Sequence, residues 1–364
     1  MSRTWKWMKR GQGRVAFSLL LGLMFAGLPS SSWANQEQLN FISDISGDVQ
    51  VKRRNWFGYR RAYPGDGLSS EDRLRLGSDA SAKVSCNNLD VWQVPAGRES
   101  QVSEGCPAAR ESLGDPGRSD TRSFIDPTIP YLISPRNTSI ATTRPTLRWN
   151  AIEGATRYRV QIRGPRFEWT TQVEETEVVY SGEEPLRRGI RYRVFVTADS
   201  GVSTQGKDRA GFTVLDEADV REIETQVARL QQQPLGETSA ILLAHLYRRY
   251  NLNAKAIELL EEAIEDGNRI TATYQLLGEL YEQVGLSRHA RERYETALEL
   301  ASAQENLAGE ALARESLGAL HQSLGELSTA VEWFDAARED YRGLGDEERV
   351  HELSAEIRDL QQRI

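Results

Sequence analysis

The chain has 364 residues, with 45 lysines and arginines against 53 aspartates and glutamates, a formal net charge of −8. That length accommodates two or three domains, and the acidic balance removes most of the support for a nucleic-acid partner, because a polyanion is repelled. The imbalance is local: residues 35–215 hold 23 acids and 25 bases, whereas residues 216–364 hold 30 and 15.

The first 34 residues stand apart. Arg3, Lys6, Lys9, Arg10 and Arg14 make a basic start without acids, Val15 to Leu28 is an apolar run, and Pro29-Ser-Ser-Ser-Trp-Ala34 offers small residues where a signal peptidase cuts. The pattern predicts a secretory signal over residues 1–34, cleaved after Ala34; the alternative is an uncleaved anchor, short for the ~30 Å of a bilayer core. Loss of the signal shifts the net charge from −8 to −13. The expected location is the bacterial periplasm or cell envelope, or the medium beyond it, and no later segment is apolar enough to span a bilayer. In an exported chain the two cysteines, Cys86 and Cys106, are more often joined than free. A metal site would need further ligands close by, and all four histidines are distant in sequence.

Residues 35–107 alternate in short runs divided by glycine-rich turns. Val49-Gln-Val51, Arg73-Leu-Arg-Leu76, Ala82-Lys-Val-Ser-Cys86 and Leu89-Asp-Val-Trp-Gln-Val94 each place apolar side chains on one face. Pro64-Gly-Asp-Gly67, Gly77-Ser-Asp79 and Pro95-Ala-Gly97 separate them. The order of a Gly-x-Val-x-Val strand, a Pro-Gly-Asp-Gly-Leu turn, an Asp-Arg-Leu-Arg-Leu-Gly strand and a closing Pro-Ala-Gly resembles the ferric-citrate-regulator (FecR) type β-domain, over about Ile45 to Arg98. Within it, Arg53-Arg-Asn-Trp-Phe-Gly-Tyr-Arg-Arg61 combines aromatics with arginines. If Trp56, Phe57, Tyr59 and Tyr63 are exposed they form a recognition surface for a glycan; otherwise they fold onto the sheet. Residues 108–129 are polar and aperiodic, the pattern of a linker.

Alternation returns over residues 130–215. Leu147-x-Trp149, Tyr158-x-Val160-x-Ile162 and Leu186-x-x-Gly189-x-x-Tyr192-x-Val194-x-Val196 resemble a fibronectin-type-III or related immunoglobulin-like sandwich, without the paired cysteines of antibody domains. A helix then starts after Asp216, with Val220, Ile223, Val227 and Leu230 on one stripe, and ends at Pro234-Leu-Gly236.

Residues 237–345 repeat. Leu277-Gly278, Tyr281, Gly285, Ala290, Tyr294 and Ala297 recur 34 residues earlier as Leu243-Ala244, Tyr247, Asn251, Ala256, Leu260 and Ala263. They recur 40 residues later as Leu317-Gly318, His321, Gly325, Ala330, Phe334 and Ala337. The six extra residues are expected in the loop around Ser302 to Gly309. A 34-residue period of these residue types resembles the tetratricopeptide repeat (TPR), in three units at 237–270, 271–304 and 311–344. Residues 216–236 and 346–364 serve as end caps. The expected fold class is thus multidomain: a small all-β domain, a β-sandwich of fibronectin-III/Ig-like type, and an α-solenoid of TPR helix pairs.

The TPR resemblance implies that the first helix of each pair lines a groove for an extended peptide or a partner's helix. Carried over by position, the groove holds Ile241, His245, Arg248 and Arg249, then Gln275, Glu279, Glu282 and Gln283, then Glu315, Gln322 and Ser323. Positions used elsewhere in the family to clamp a C-terminal carboxylate hold Ile241, His245 and Glu279, which do not suit that role. There is no phosphate loop and no His-Glu-x-x-His, and His245, His289, His321 and His351 sit on separate helices. The reading is a non-catalytic exported scaffold without cofactor or metal, which binds a protein or peptide in the groove. The alternative is an envelope protein that binds polysaccharide through its β-domains.

Overall fold

Strand alternation in the first region resolves into two small sheets. A computed structural model describes residues 40–107, 126–233 and 236–364; the expected signal segment and residues 108–125 of the expected linker lie outside the described residues. Strands β1 (Asn40–Ser46), β4 (Gly67–Leu68), β6 (Ser81–Ser85) and β7 (Val91–Val94) form one sheet in the order β4-β1-β6-β7. Strands β2 (Val49–Lys52), β3 (Arg60–Arg61), β5 (Arg73–Leu76) and β8 (Glu99–Gln101) form the other, in the order β3-β2-β5-β8. The period of two works as the sequence implies: Val49, Val51, Leu74 and Leu76 are buried while Arg73 and Arg75 face solvent. Cys86 and Cys106 are disulfide-bonded across a separation of 20 residues, a closure that stabilises by about 3 kcal/mol on chain-entropy grounds.

The second β region is two facing sheets. One holds β9 (Leu132–Ser134), β11 (Thr146–Trp149) and β14 (Glu177–Val179), in the order β14-β11-β9. The other holds β10 (Thr138–Ile140), β12 (Tyr158–Gly164), β13 (Phe167–Val173), β15 (Arg191–Ala198) and β16 (Gly211–Val214), in the order β10-β16-β15-β12-β13. Trp149, Tyr158, Ile162, Tyr192 and Phe212 fill the space between the sheets. The sequence reading has no strand where β13 runs. Its Phe-Glu-Trp-Thr-Thr-Gln-Val is a half-exposed edge whose alternation mixes aromatic and polar residues on one face.

Eight α-helices follow among the described residues: α1 (Glu217–Gln231), α2 (Ser239–Arg249), α3 (Asn253–Glu265), α4 (Thr271–Gln283), α5 (Ser287–Ala303), α6 (Leu307–Ser323), α7 (Leu327–Leu344) and α8 (Glu347–Arg363). Asp216 stands at the N-cap of α1, but its side chain makes no capping hydrogen bond. The helix pairs α2–α3, α4–α5 and α6–α7 repeat one geometry. Asn251, Gly285 and Gly325, equivalent in the period, all take left-handed backbone with φ of 56°, 81° and 79°, the conformation that glycine and asparagine tolerate at a helix C-terminus. Small residues permit close helix approach. A Cβ on Gly278 would lie 2.4 Å from Tyr294, and one on Gly318 would lie 2.6 Å from Phe334, so each aromatic ring of the second helix fills the notch in the first.

One expectation fails here. The six-residue insertion between the second and third units is not a loop. It lengthens helices: α5 and α6 have 17 residues each, against 13 in α3 and α4. The turn between them is only Gln304 to Asn306, where Glu305 adopts φ 56° and the Asn306 side chain accepts from the Gly309 N–H at 3.0 Å, capping α6.

Candidate functional site

The residues expected to line a groove are placed along the first helices of the pairs, and the structure shows what they touch. Ile241 is 1% exposed. Gly65, in the left-handed turn between β3 and β4 with φ 86°, sits so close that a Cβ there would be 2.4 Å from Ala272, 3.2 Å from Ile270 and 3.3 Å from Ile241. Phe41 of β1 lies beside His245 with ring centroids 6.0 Å apart. The Thr238 hydroxyl donates to the Ser43 carbonyl at 2.8 Å, and the Arg249 guanidinium donates to the Asn87 carbonyl at 3.3 Å. Phe41 and Leu89 belong to the same apolar cluster as Ile241, Leu276 and Tyr281. The first-repeat part of the groove therefore holds this chain's own first β region.

Most of the remaining groove residues pair with residues of neighbouring helices. Arg248 of α2 meets Glu279 of α4 at 2.7 Å. Gln275 of α4 donates to Ser316 of α6 at 2.8 Å. Glu315 of α6, 1% exposed, forms an ion pair with Arg349 of α8 and accepts from the Tyr341 hydroxyl at 2.6 Å. Glu282 accepts from Tyr294 at 3.0 Å, Gln322 donates to Glu356, and Gln283 is half-buried. Buried charges persist only when paired, and this ladder pairs them between units. Ser323 is exposed, and so is Leu312, 40% exposed. Leu312 occupies the repeat position that Thr238 and Ala272 hold beneath the β region.

The aromatic loop also turns toward the chain. Trp56 is 5% exposed and part of the β core. The Tyr63 hydroxyl donates to the Gln304 carbonyl at 2.8 Å, at the α5–α6 turn. Phe57 is 74% exposed but covers Gly345, where a Cβ would lie 2.2 Å from its ring. Tyr59 packs under Arg75, whose guanidinium carbon is 3.7 Å from the ring centroid. Ala311 and Leu344 join the core of this β region.

Electrostatics follow from this burial. Desolvation, with Arg248 adding to it, holds the His245 imidazole down at about 3, and its Nδ1 finds no partner among the described residues. Asp66, in the inserted turn, is pushed up to about 6 by burial, against which Arg53 and the Tyr63 N–H work. Burial also raises the Tyr294 hydroxyl, with Glu282 and Glu279 contributing.

A second contact was invisible in the sequence pattern. Arg136 is 1% exposed; it pairs with Asp208 at 2.6 Å and donates through Nε to the Val284 carbonyl at 2.9 Å. The Thr138 hydroxyl donates to the Asn251 carbonyl at 2.8 Å and accepts from the Ala254 N–H at 3.2 Å, which supplies α3 with the cap its own residues lack. The sandwich thus grips the turns inside the first two helix pairs. Among the described residues no three His, Cys, Asp or Glu side chains come together as a metal site, and no helix is long and apolar enough to cross a membrane.

No protein-family model and no curated protein matches the chain. Among solved structures, BtubC from P. vanneervenii is similar at 19% identity, over 40% of this chain and 75% of that one, with a TM-score of 0.30. MamA is similar at 17% identity over 41% and 96%, with a TM-score of 0.27. A Podosopora anserina putative kinesin light chain with nearly identical TPR-like repeats is similar at 19% identity over 40% and 87%, with a TM-score of 0.28. At such scores these likenesses add nothing to the helical array's own period and packing.

Proposed function

We propose that the chain is an exported, non-catalytic scaffold of the periplasm or cell envelope, whose helical array holds its own first β region in one part of a groove and a protein partner in the part left open. The parts are a FecR-type β-domain, a fibronectin-type-III-like sandwich and three tetratricopeptide repeats. The FecR reading is supported by strand order and by Val49, Val51, Leu74 and Leu76 facing one core. The sandwich reading is supported by its three- and five-stranded sheets and by the Tyr192 hydroxyl, which accepts from the Arg187 N–H at 3.0 Å in the manner of a tyrosine corner. The repeat reading rests on the 34-residue period and on left-handed Asn251, Gly285 and Gly325.

The observation that carries the partner site is Leu312. It is a large apolar side chain 40% exposed at a repeat position whose sister residues, Thr238 and Ala272, lie under the first β region, and that difference between equivalent positions is what supports a contact there. The glycan alternative has less support, because Trp56 is buried and Tyr63 is bonded to the array. A photo-cross-linking residue placed at Gln322 in the full-length chain, with Glu183 on the sandwich as control position, tests the assignment in cells. A discrete heterologous protein adduct from Gln322 alone, lost on Leu312→Asp, is the expected result. Equal adducts from both positions, no adduct, or adducts only to copies of the same chain would overturn it.

A further inference from the structure

The five-stranded sheet of the sandwich turns an arginine face to solvent. Along β12 and β15 the inward residues Val160, Ile162, Tyr192 and Val194 are buried, so their neighbours point outward. Arg163 stands directly opposite Arg193 in the ladder, and Arg191 lies two residues along the same strand. Like charges directly opposed in a sheet are destabilising. Arg163 is relieved by Glu168 at 3.3 Å and rests over the Phe195 ring at 5.2 Å. Arg191 and Arg193 are exposed and have no acidic partner among the described residues. Together with Gly164, Pro165 and Phe195, these three arginines line a cleft of about 440 Å³.

The second helices of the repeats show the opposite charge with the period of the repeat. Glu258, Glu292 and Glu332 occupy one repeat position, and Glu265, Glu299 and Glu339 another seven residues on; all six are exposed. Lys255, Arg288 and Arg342 partner three of them within their own helices, surface pairs worth little and readily exchanged. Glu295 and Glu299 are unpaired among the described residues. The two faces also match in spacing. Residues two apart on a strand are separated by ~7 Å, and residues four apart on a helix by ~6 Å, so Arg191 and Arg193 suit Glu295 and Glu299. Both faces are exposed within one copy, so they do not satisfy each other there.

We infer that the arginine face of the sandwich docks on the acidic second-helix face of another copy of this chain. The contact is heterologous, each copy offering one face and receiving the other, an arrangement that builds rings or open filaments. It uses neither Leu312 nor Gln322 and is independent of the partner site above.

Sedimentation of the full-length mature chain, over about a hundredfold range of concentration, reads the association. It is expected in ~0.01 M salt, where the Debye length is about 30 Å, and is expected to weaken at least ~10-fold in ~1 M salt, where it is about 3 Å. Arg191→Glu with Arg193→Glu should leave monomers, as should Glu295→Lys with Glu299→Lys. An equimolar mixture of the two reversed variants should associate again, because each then offers the face the other lacks. Circular dichroism confirms that both variants fold. A wild-type chain that stays monomeric in low salt, association indifferent to either reversal, or reversed variants that fail to rescue one another would overturn the inference. So would a monomer that instead binds polyphosphate through the same arginines, which would assign the face to a free polyanion.

Discussion

The two β regions meet the helical array by different chemistry. The first buries apolar surface in the groove, Phe41 beside His245 and the Gly65 turn against Ile241, Ile270 and Ala272, with hydrogen bonds such as Thr238 to the Ser43 carbonyl at its edges. The second presents polar groups to backbone: Arg136 and Thr138 bond the carbonyls of Val284 and Asn251, at the turns within helix pairs. Backbone carbonyls at such turns exist in any sequence that folds this way, so the sandwich contact depends on the repeat geometry. The groove contact depends on which residues line the groove, so it is the one that a change of groove residues, or a competing ligand, alters first.

Substitution can separate the two. Arg136→Ala should have the largest effect, because it strands Asp208 without its cation and leaves the Val284 carbonyl without that donor; removing one member of a buried pair costs about 3–5 kcal/mol, measurable by urea unfolding. Arg136→Leu with Asp208→Leu should recover much of that loss, since the uncompensated charge is gone. Gly65→Ala should cost less, about 1–3 kcal/mol, and its effect should be localised: faster hydrogen exchange where the β region meets α2 and α4, with the sandwich contacts unchanged. Acid should act more mildly still, and at the groove contact through two groups of opposite sign. The His245 pKa is lowered on folding from 6.5 to about 3, so its neutral-state contribution is intact above pH 6.5 and falls away as pH drops toward 3, by at most about 1.4 kcal/mol per pH unit. Asp66 is raised from 3.8 to about 6, so its contribution has the opposite sign, lost as pH rises from 3.8 to 6. Wild-type docking should therefore change little between pH 6 and 4. Asp66→Asn should expose the acid sensitivity from His245, and His245→Phe should leave docking that strengthens on acidification. Phe57→Ala should give the smallest change, about 0.5–1 kcal/mol, since most of that ring is already in solvent.

Much of the fold was legible because period reports burial. Alternation at Val49, Val51, Leu74 and Leu76 located strands, and the recurrence of Gly278 and Tyr294 as Gly318 and Phe334 located the helix pairs and the notch between them. Period does not say what covers a buried face. Ile241 was readable as a groove position, yet nothing in its spacing shows that Gly65, far away in sequence, fills the space above it. Arg136 lies in an irregular stretch before β10 with no periodic signal, and its burial depends on Asp208 and on a carbonyl from another region. The longer α5 and α6 on either side of the turn at residues 304–306 were missed because insertions are cheap in loops; here Asn306 caps a longer α6 and makes the helical solution the better one. The aromatics at Trp56, Phe57 and Tyr63 were recognisable as contact residues, but the surface they contact is the chain's own.

The central claim is that the first β region covers Ile241 in the first repeat and leaves the Leu312 position of the third repeat exposed. The full-length chain offers a clean background, since its two native cysteines are joined. Maleimide labelling of Ile241→Cys and of Leu312→Cys under native conditions compares the two ends directly. The account predicts that Leu312→Cys labels at the rate of an exposed thiol and Ile241→Cys about a hundredfold more slowly, through local opening. Equal labelling rates at the two positions would contradict it.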